Sequence, residues 1–224
     1  MLIVHHLENS RSQRILWLLE ELGLEYQIKH YKRDPETNLA PPELRQVHPL
    51  GKAPVLTDGD VTVAESAAII EYIADTYGDS KMRPADGTPE RRSYIYWLHY
   101  AEGSLLPLLL LSLVMTRVES KSPMLIRPIA RKMFDGVRSA YLDPNLERHL
   151  TFINDTLGAS PWFCGEQLTA ADCQMSYALD GAEVRTDLRA NYANIANYLD
   201  RIRARPAYQA AIAKGGPYSL MSGK

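Results

Sequence analysis

The stretch "HPLGKAPVL", residues 48–56, ends in a short apolar segment that follows a proline. Proline cannot donate a ladder hydrogen bond, so Pro54 is expected in a turn just before a strand. Because cis peptide bonds are almost confined to X–Pro, the Ala53–Pro54 bond is a candidate for the cis form. Such a turn would leave the N–H and C=O of Ala53 able to pair with an extended peptide ligand. A trans proline that ends a loop is the alternative.

A β-hairpin and a helix follow this turn. Residues 55–57 and 61–63 are strand-like and flank Asp58-Gly59-Asp60, a strong hairpin signal. The segment "AESAAII" (64–70) then opens a helix that we expect over residues 65–77, closed by Gly78. Ser66 lies in its first turn, where the helix dipole favours a carboxylate, and Glu65 could accept from an ammonium group. Taken alone, simple capping of the helix by the two residues is the plainer interpretation.

Upstream of the proline, a strand at residues 2–5 precedes a helix that carries apolar residues at helical spacing and ends near Gly23. A second strand follows at residues 26–31. The order β-α-β and then β-β-α is typical of a thioredoxin-like domain with a right-handed crossover.

The segment "ENSRSQR", residues 8–14, lies between the first strand and the first helix. A redox domain of this pattern would carry a cysteine pair there, but the positions hold Asn9, Ser10, Arg11 and Ser12. If the domain handles thiols, the reacting sulfur is therefore not supplied by this segment.

The rest of the chain is helical in its periodicity. Helices are expected at about 89–117, 124–157, 170–181, 192–204 and 206–214, after a polar link at 79–88. Thr169 and Asp172 in "GEQLTAAD" have the spacing of a capping box, with a folding role. We therefore expect an α/β, thioredoxin-like domain at residues 1–80 and an all-helical domain at residues 88–224.

Composition excludes several classes of protein. The chain has 224 residues, of which 46% are hydrophobic and 23% are charged, as in ordinary globular proteins. Its formal net charge of −2 gives no sign of the basic surface that nucleic-acid binding requires. Its two cysteines are too few for a disulfide framework and suit a reducing compartment. The apolar stretch 105–115 is too short to span a bilayer, and the N-terminus lacks signal-peptide features. We expect a cytoplasmic protein without membrane contact. We also expect no metal site, because the adjacent His5 and His6 face opposite sides of a strand.

In combination, these motifs resemble the cytosolic glutathione transferase family, in particular its microbial members. The likeness covers nearly the whole chain, from "SRSQRILWLLEELGLEY" through "GKAPVL" and "ESAAIIEYI" to "GEQLTAAD". The resemblance implies a thioredoxin-like domain that binds glutathione and a homodimer engaged in detoxification. It also implies the glutathione-binding residues, which are Lys52, Ala53, Pro54, Glu65 and Ser66.

The same resemblance implies that glutathione brings the missing sulfur. A free thiol has a pKa of ~8.5, and lowering it by roughly 2 units takes about 2.7 kcal/mol of preferential thiolate stabilisation. We expect Ser10 to donate to the thiolate, with Asn9 assisting and Arg11 nearby. A serine that only caps the first helix is the alternative.

The electrophile is expected in a pocket between the domains, walled by the first long helix. Tyr94, Trp97, Tyr100 and Leu105 are the candidates, although such a stripe also suits a helix core. The predicted function is transfer of glutathione to a small hydrophobic electrophile. A glutathione-dependent disulfide reductase or peroxidase and a non-catalytic interaction or regulatory protein with this fold remain alternatives.

Overall fold

A computed structural model of the chain describes residues 1–78, 82–216 and 218. The domain boundary predicted at residue 80 and the predicted end at residue 224 lie outside these residues. The first domain consists of β1 (Leu2–Leu7), α1 (Gln13–Leu22), β2 (Tyr26–Tyr31), α2 (Leu44–Val47), β3 (Val55–Asp58), β4 (Val61–Ala64) and α3 (Ser66–Tyr77).

The four strands form one mixed sheet in the order β2-β1-β3-β4. β1 is parallel to β2 and antiparallel to β3, and β3 pairs with β4 through the predicted hairpin, in which Leu56 faces Val63. Gly23 adopts a φ of +64° and ends α1, and Gly59 adopts a φ of +56° in the hairpin turn. The predicted thioredoxin-like order of elements is confirmed.

The second domain is helical, as predicted, in the part that the structure describes. Its elements are α4 (Pro89–Tyr100), α5 (Leu106–Lys121), α6 (Arg127–Val137), α7 (Asp143–Ala159), α8 (Ala170–Arg185), α9 (Leu188–Asn191), α10 (Ala193–Arg203) and α11 (Pro206–Gly215). The carboxylate of Asp172 accepts from the Thr169 N–H at 2.8 Å, so the reach-back bond of the predicted capping box is present.

Two long helices that the sequence predicts as regular contain π-helical turns. These turns span Ala101–Leu105 and Arg138–Leu142 and connect α4 with α5 and α6 with α7. In both cases a proline, Pro107 or Pro144, occupies the first turn after the π-helical segment. Proline lacks an N–H and its ring crowds the preceding turn, and the wider turn accommodates it without ending the helix.

As a result, one continuous helical segment runs from Pro89 to Lys121. By length and composition alone it could cross a membrane, with a mean hydropathy of 1.5 in its most apolar window. The stretch 105–115, too short to span a bilayer by itself, is only part of this segment. Within the protein, 44% of this window is buried, and α4 and α5 both pack against α8, as core helices of globular proteins do.

Candidate active site

A cavity of about 210 Å³ opens where the end of the sheet faces the helical domain. Three segments of the first domain and one turn of the second domain build it. Its lining consists of Arg11, His48, Leu50, Lys52, Ala53, Pro54, Ala64, Glu65, Ser66 and Glu102. The five residues predicted to bind glutathione therefore share one cavity with Arg11.

The backbone around this cavity has two unusual conformations. The Ala53–Pro54 peptide bond is cis, as the sequence suggested. Glu65 has a φ of +70°, in the left-handed region that residues with a side chain rarely adopt. This turn ends β4 and directs the chain into α3, whose first residue, Ser66, is only 4% exposed. Non-glycine strain of this kind is typical of functional sites.

Arg14 is a buried cation beneath the cavity that the sequence analysis missed. Its side chain is fully buried and donates to the carbonyl oxygen of Gln174 at 2.8 Å, to the Ser66 hydroxyl at 2.9 Å and to the Glu102 carboxylate. Burial lowers the pKa of Arg14, and the charge of Glu102 opposes that shift. The sequence feature that indicates a buried Arg14 is its position on the apolar face of α1, four residues before Leu18.

Arg11 lies at the edge of the same cavity. Its Nε is 3.2 Å from Oε2 of Glu102, and its guanidinium carbon is 5.6 Å from the ring centre of Tyr177. Glu102 thus accepts from Arg11 and Arg14 together, and it comes from the first π-helical turn of the other domain. π-Turns often occur at functional sites, and here the turn supplies the carboxylate that positions two guanidinium groups.

Ser10 and Asn9 are not among the residues that line the cavity. Ser10 is 5% exposed, and its Oγ lies 2.7 Å from Oγ of Ser12 and accepts from the Ser12 N–H at 3.2 Å. The Ser12 hydroxyl in turn lies 2.8 Å from Nδ1 of His6. Asn9 has a φ of +51°, and its carbonyl oxygen accepts from Arg33 at 3.2 Å.

The protonation state of His6 determines which hydroxyl donates and which accepts in this chain of hydrogen bonds. Burial, followed by the charge of His30, lowers the pKa of His6 to about 4, while a bond to the Gly215 carbonyl opposes the shift. A neutral His6 that donates to Gly215 must accept at Nδ1, so Ser12 donates to His6 and Ser10 donates to Ser12. The proton of the Ser10 hydroxyl is then directed away from the cavity.

A second, narrower cavity of about 80 Å³ adjoins the first through Arg11. Four leucines and Tyr177 form most of its wall, in which the remaining residues are charged or small. The lining consists of Arg11, Leu106, Leu109, Leu110, Leu113, Tyr177, Gly181 and Arg185. We refer to this cavity as the leucine slot.

The four residues predicted for the electrophile pocket do not line the leucine slot. Tyr94, Trp97 and Leu105 are at most 3% exposed and belong to the main hydrophobic core. Tyr100 lines a separate depression formed by α4 and α7. The alternative of a helix core fits Tyr94, Trp97 and Leu105, whereas the leucines of α5 line the leucine slot together with Arg11.

Both cysteines are remote from these cavities. Cys173 is fully buried, and Cys164 is buried next to the Thr169 hydroxyl, which donates to its sulfur at 3.3 Å. Burial raises the pKa of Cys164 to about 12 and also raises that of Cys173. Neither thiol is thus prepared for reaction. Among the described residues, no group of three or more His, Cys, Asp or Glu side chains is arranged to hold a metal ion.

Comparison with known proteins agrees with this architecture. The family model "Glutathione S-transferase, N-terminal domain" matches residues 1–75, and the model "Glutathione S-transferase, C-terminal domain" matches residues 126–215. The chain is 37% identical over 214 residues to glutathione S-transferase 3 of Schizosaccharomyces pombe, an alignment that covers 96% of this chain and 88% of that protein.

Two further relatives extend the comparison. Glutathione S-transferase 1 of Saccharomyces cerevisiae is 33% identical over 217 residues, which cover 93% of this chain and 92% of that protein. A solved glutathione S-transferase structure from Actinobacillus pleuropneumoniae aligns with a TM-score of 0.80 at 36% identity, covering 98% of this chain and 95% of that one. The chain belongs to the glutathione S-transferase family.

Proposed function

We propose that the protein is a glutathione transferase that holds glutathione as a thiolate at Arg11 for attack on a small hydrophobic electrophile in the leucine slot. The observation that carries this proposal is the position of Arg11, which lines both the polar cavity and the apolar slot. A reaction between a polar thiol and an apolar electrophile needs two such sites that meet at one point.

The polar cavity fits the charges of glutathione, which has two carboxylates, one ammonium group and a thiol. The N-terminus of α3 at Ser66 suits the γ-glutamyl carboxylate, and Glu65 suits the ammonium group. Lys52 lines the same cavity and suits the glycine carboxylate. The backbone of Ala53 is available to pair with the cysteinyl residue.

Arg11 is our first candidate for the group that stabilises the thiolate. A guanidinium keeps its charge at every physiological pH, and a positive charge near the sulfur favours thiolate over thiol. We assign Ser10 and Asn9 to the support of the loop that carries Arg11, because the Ser10 hydroxyl points into the chain formed with Ser12 and His6. The thiol proton passes to solvent on binding.

The chemical step needs no protein nucleophile. The thiolate sulfur forms a bond to the electrophilic carbon, and a halide leaves with the bonding electron pair. With an α,β-unsaturated carbonyl compound the electrons move to the carbonyl oxygen, and the resulting enolate takes a proton from water. The protein contributes orientation and electrostatic stabilisation.

We also propose a cytoplasmic, homodimeric enzyme that removes reactive electrophiles. Two buried, unpaired cysteines support a reducing compartment. Exposed apolar side chains concentrate near the start of α6, where Met124, Leu125, Ile129 and Met133 are each at least 62% exposed, and these support a subunit contact. Light scattering coupled to size exclusion would give the subunit number.

The decisive test is an ultraviolet difference titration of the protein with glutathione across pH, which follows the absorbance of the thiolate. We expect the bound thiol to ionise roughly 2 pH units below its free pKa of ~8.5. Binding without this shift, together with turnover of mixed disulfides but not aryl halides, would favour a disulfide reductase. Absence of binding would favour the non-catalytic alternative.

A further inference from the structure

Two guanidinium groups line the leucine slot, about two helical turns of α8 apart. Arg11 lies over the ring of Tyr177, beside the polar cavity, and Arg185 follows Tyr177 by eight residues, near the C-terminus of α8. Arg185 also lines a larger cavity of about 730 Å³ within the helical domain. A molecule in the slot therefore meets leucine side chains and two separate cations.

The two guanidinium groups differ in their partners. Arg11 pairs with Glu102. Arg185 donates from Nη1 to the Gly181 carbonyl oxygen at 2.8 Å, and within the described part of the chain it has no carboxylate partner. The larger cavity has the three acidic residues Asp143, Glu147 and Asp187 in its lining, yet none of the three forms an ion pair with Arg185.

The surroundings of Arg185 leave its charge uncompensated. The side chain is half-buried, and burial lowers the pKa of Arg185, an effect that Tyr177 opposes and the positive charge of Arg117 reinforces. An arginine remains charged under these conditions, so Arg185 is a cation at an apolar wall without a carboxylate partner among the described residues. Its exposed part is open to an approaching anion, with which it can form a charge-assisted pair.

We propose that the acceptor substrates of this enzyme carry a carboxylate at the end remote from their reacting carbon, and that Arg185 binds this carboxylate. The proposal rests on the function given above and names the substrate class of the same site. The reacting carbon then lies at the Arg11 end, beside the glutathione sulfur. The leucines hold a slim apolar body such as one ring or a short chain.

The geometry of α8 suits this role. Gly181 lies one turn before Arg185, and a Cβ at position 181 would come within 3.5 Å of Nη1 of Arg185 and 3.6 Å of Cδ1 of Leu109. A Cβ at position 181 would therefore occupy the space between the guanidinium and Leu109, which glycine leaves open. A guanidinium also matches the planar geometry of a carboxylate and can bind it through two parallel hydrogen bonds.

Two probes with the same skeleton, one charged and one neutral, test the proposal. The charged probe is trans-4-phenylbut-3-en-2-one, an unsaturated ketone that accepts thiolates, with a carboxylate at the para position of its phenyl ring. The neutral probe is the methyl ester of this carboxylate. The kcat/KM of each probe is measured with glutathione for the native enzyme and for Arg185→Met. Intrinsic reactivity cancels because each probe is compared with itself between two enzymes.

We expect Arg185→Met to reduce kcat/KM for the carboxylate by roughly 10- to 100-fold, the range of a charge-assisted hydrogen bond, and to change the ester less than about threefold. Arg185→Lys should retain part of the selectivity and serves as a second variant if Arg185→Met folds poorly. Arg138→Met is the matched control, since it removes a cation from the larger cavity and leaves the slot unchanged. Equal losses for both probes in Arg185→Met would overturn the proposal.

A binding measurement separates this proposal from the proposed function. Unreactive 4-phenylbutanoate and its methyl ester are titrated calorimetrically against the native enzyme and Arg185→Met. If no probe is turned over, the proposed transferase function fails, and selective loss of 4-phenylbutanoate binding in Arg185→Met still supports the anion site. Turnover of both probes without charge selectivity in either measurement overturns the anion site and leaves the transferase intact.

Discussion

Nε of Arg11 lies 3.2 Å from Oε2 of Glu102, although the two residues are 91 positions apart and belong to different domains. The other oxygen of the same carboxylate accepts from the buried Arg14. One side chain of the helical domain therefore pairs with both the cation at the edge of the polar cavity and the cation beneath it. The position of the Arg11 guanidinium thus depends on the second domain as well as on the first.

Replacing Glu102 with alanine should destabilise the protein markedly. Arg14 would keep its buried charge without a counterion, and breaking a buried ion pair in this way costs about 3–5 kcal/mol. Because the Glu102 side chain is 33% exposed, water can partly replace it, and we expect the lower end, about 3 kcal/mol. Urea unfolding followed by tryptophan fluorescence measures the loss.

Asp200→Asn supplies the control for that experiment. Asp200 pairs with Arg189 at 2.9 Å, and both side chains are largely exposed, so its loss should change the free energy of unfolding by less than about 0.5 kcal/mol. If Glu102→Ala lowered the free energy of unfolding as little as this control does, Glu102 would not be the group that stabilises the buried charge of Arg14.

The thiolate of bound glutathione should depend on Arg11 more than on Ser10. We expect Arg11→Met to bring the pKa of the bound thiol back toward its free value of ~8.5, because the variant removes the positive charge that lies where the polar cavity meets the leucine slot. Ser10→Ala should leave that pKa nearly unchanged, since the Ser10 hydroxyl donates to Ser12. Thiolate absorbance across pH measures both variants.

Arg11→Lys is the matched variant, since it keeps the positive charge but lacks the planar, two-pronged guanidinium. We expect the pKa of the bound thiol to stay below its free value in this variant and turnover to fall. If Ser10→Ala raised the thiol pKa and Arg11→Met did not, thiolate stabilisation would return to the serine that the sequence favoured.

Sequence reasoning predicted the fold well because the fold follows from local signals. The turn before Pro54, the Asp58-Gly59 hairpin and the glycine that ends α1 each specify their own conformation within a few residues. The positions predicted to bind glutathione lie in short, contiguous motifs, so the sequence could single them out. All five lie in one cavity.

The parts that the sequence missed depend on contacts between distant segments. The bond from Arg14 to Gln174 joins residues 160 positions apart, and no local pattern encodes it. The electrophile pocket predicted on α4 and the turn after it rests on apolar spacing, which alone cannot tell a core-facing stripe from a cavity-facing one. The orientation of the Ser10 hydroxyl required the position of His6, which lies on another element.

Ser66→Ala should have two effects, of which the sequence suggested only the weaker binding of glutathione. The Ser66 hydroxyl also accepts from Nη2 of Arg14 at 2.9 Å, so its removal leaves a buried N–H without a partner. This costs about 1–3 kcal/mol of stability. We therefore expect a lower midpoint in urea together with a raised Kd for glutathione.

Ser176→Ala is the matched buried serine for this comparison. Its hydroxyl donates only to the Cys173 carbonyl oxygen at 2.8 Å, within its own helix, and it does not line the glutathione cavity. We expect Ser176→Ala to lower the free energy of unfolding less than Ser66→Ala does and to leave the affinity for glutathione unchanged. Full stability of Ser66→Ala would mean that Arg14 does not need the Ser66 hydroxyl.

His6 should make the protein sensitive to acid. The folded protein lowers the pKa of His6 to about 4, whereas an unfolded chain keeps the ordinary value of 6.5. The unfolded state therefore binds a proton first, and stability present above pH 6.5 is lost as pH falls toward 4. The slope is at most about 1.4 kcal/mol per pH unit for one proton.

The variant His6→Gln isolates this contribution because it keeps an acceptor for the Ser12 hydroxyl but cannot titrate. Buried Asp172 and Asp180 have their pKa raised to about 6 and work in the opposite direction, since stability falls as pH rises through their range. The difference between the native protein and His6→Gln removes these carboxylates from the comparison. We expect the free-energy difference between the two proteins to change across pH 4–6.5 and to be constant above it. A constant difference throughout would show that His6 gains its proton equally in both states.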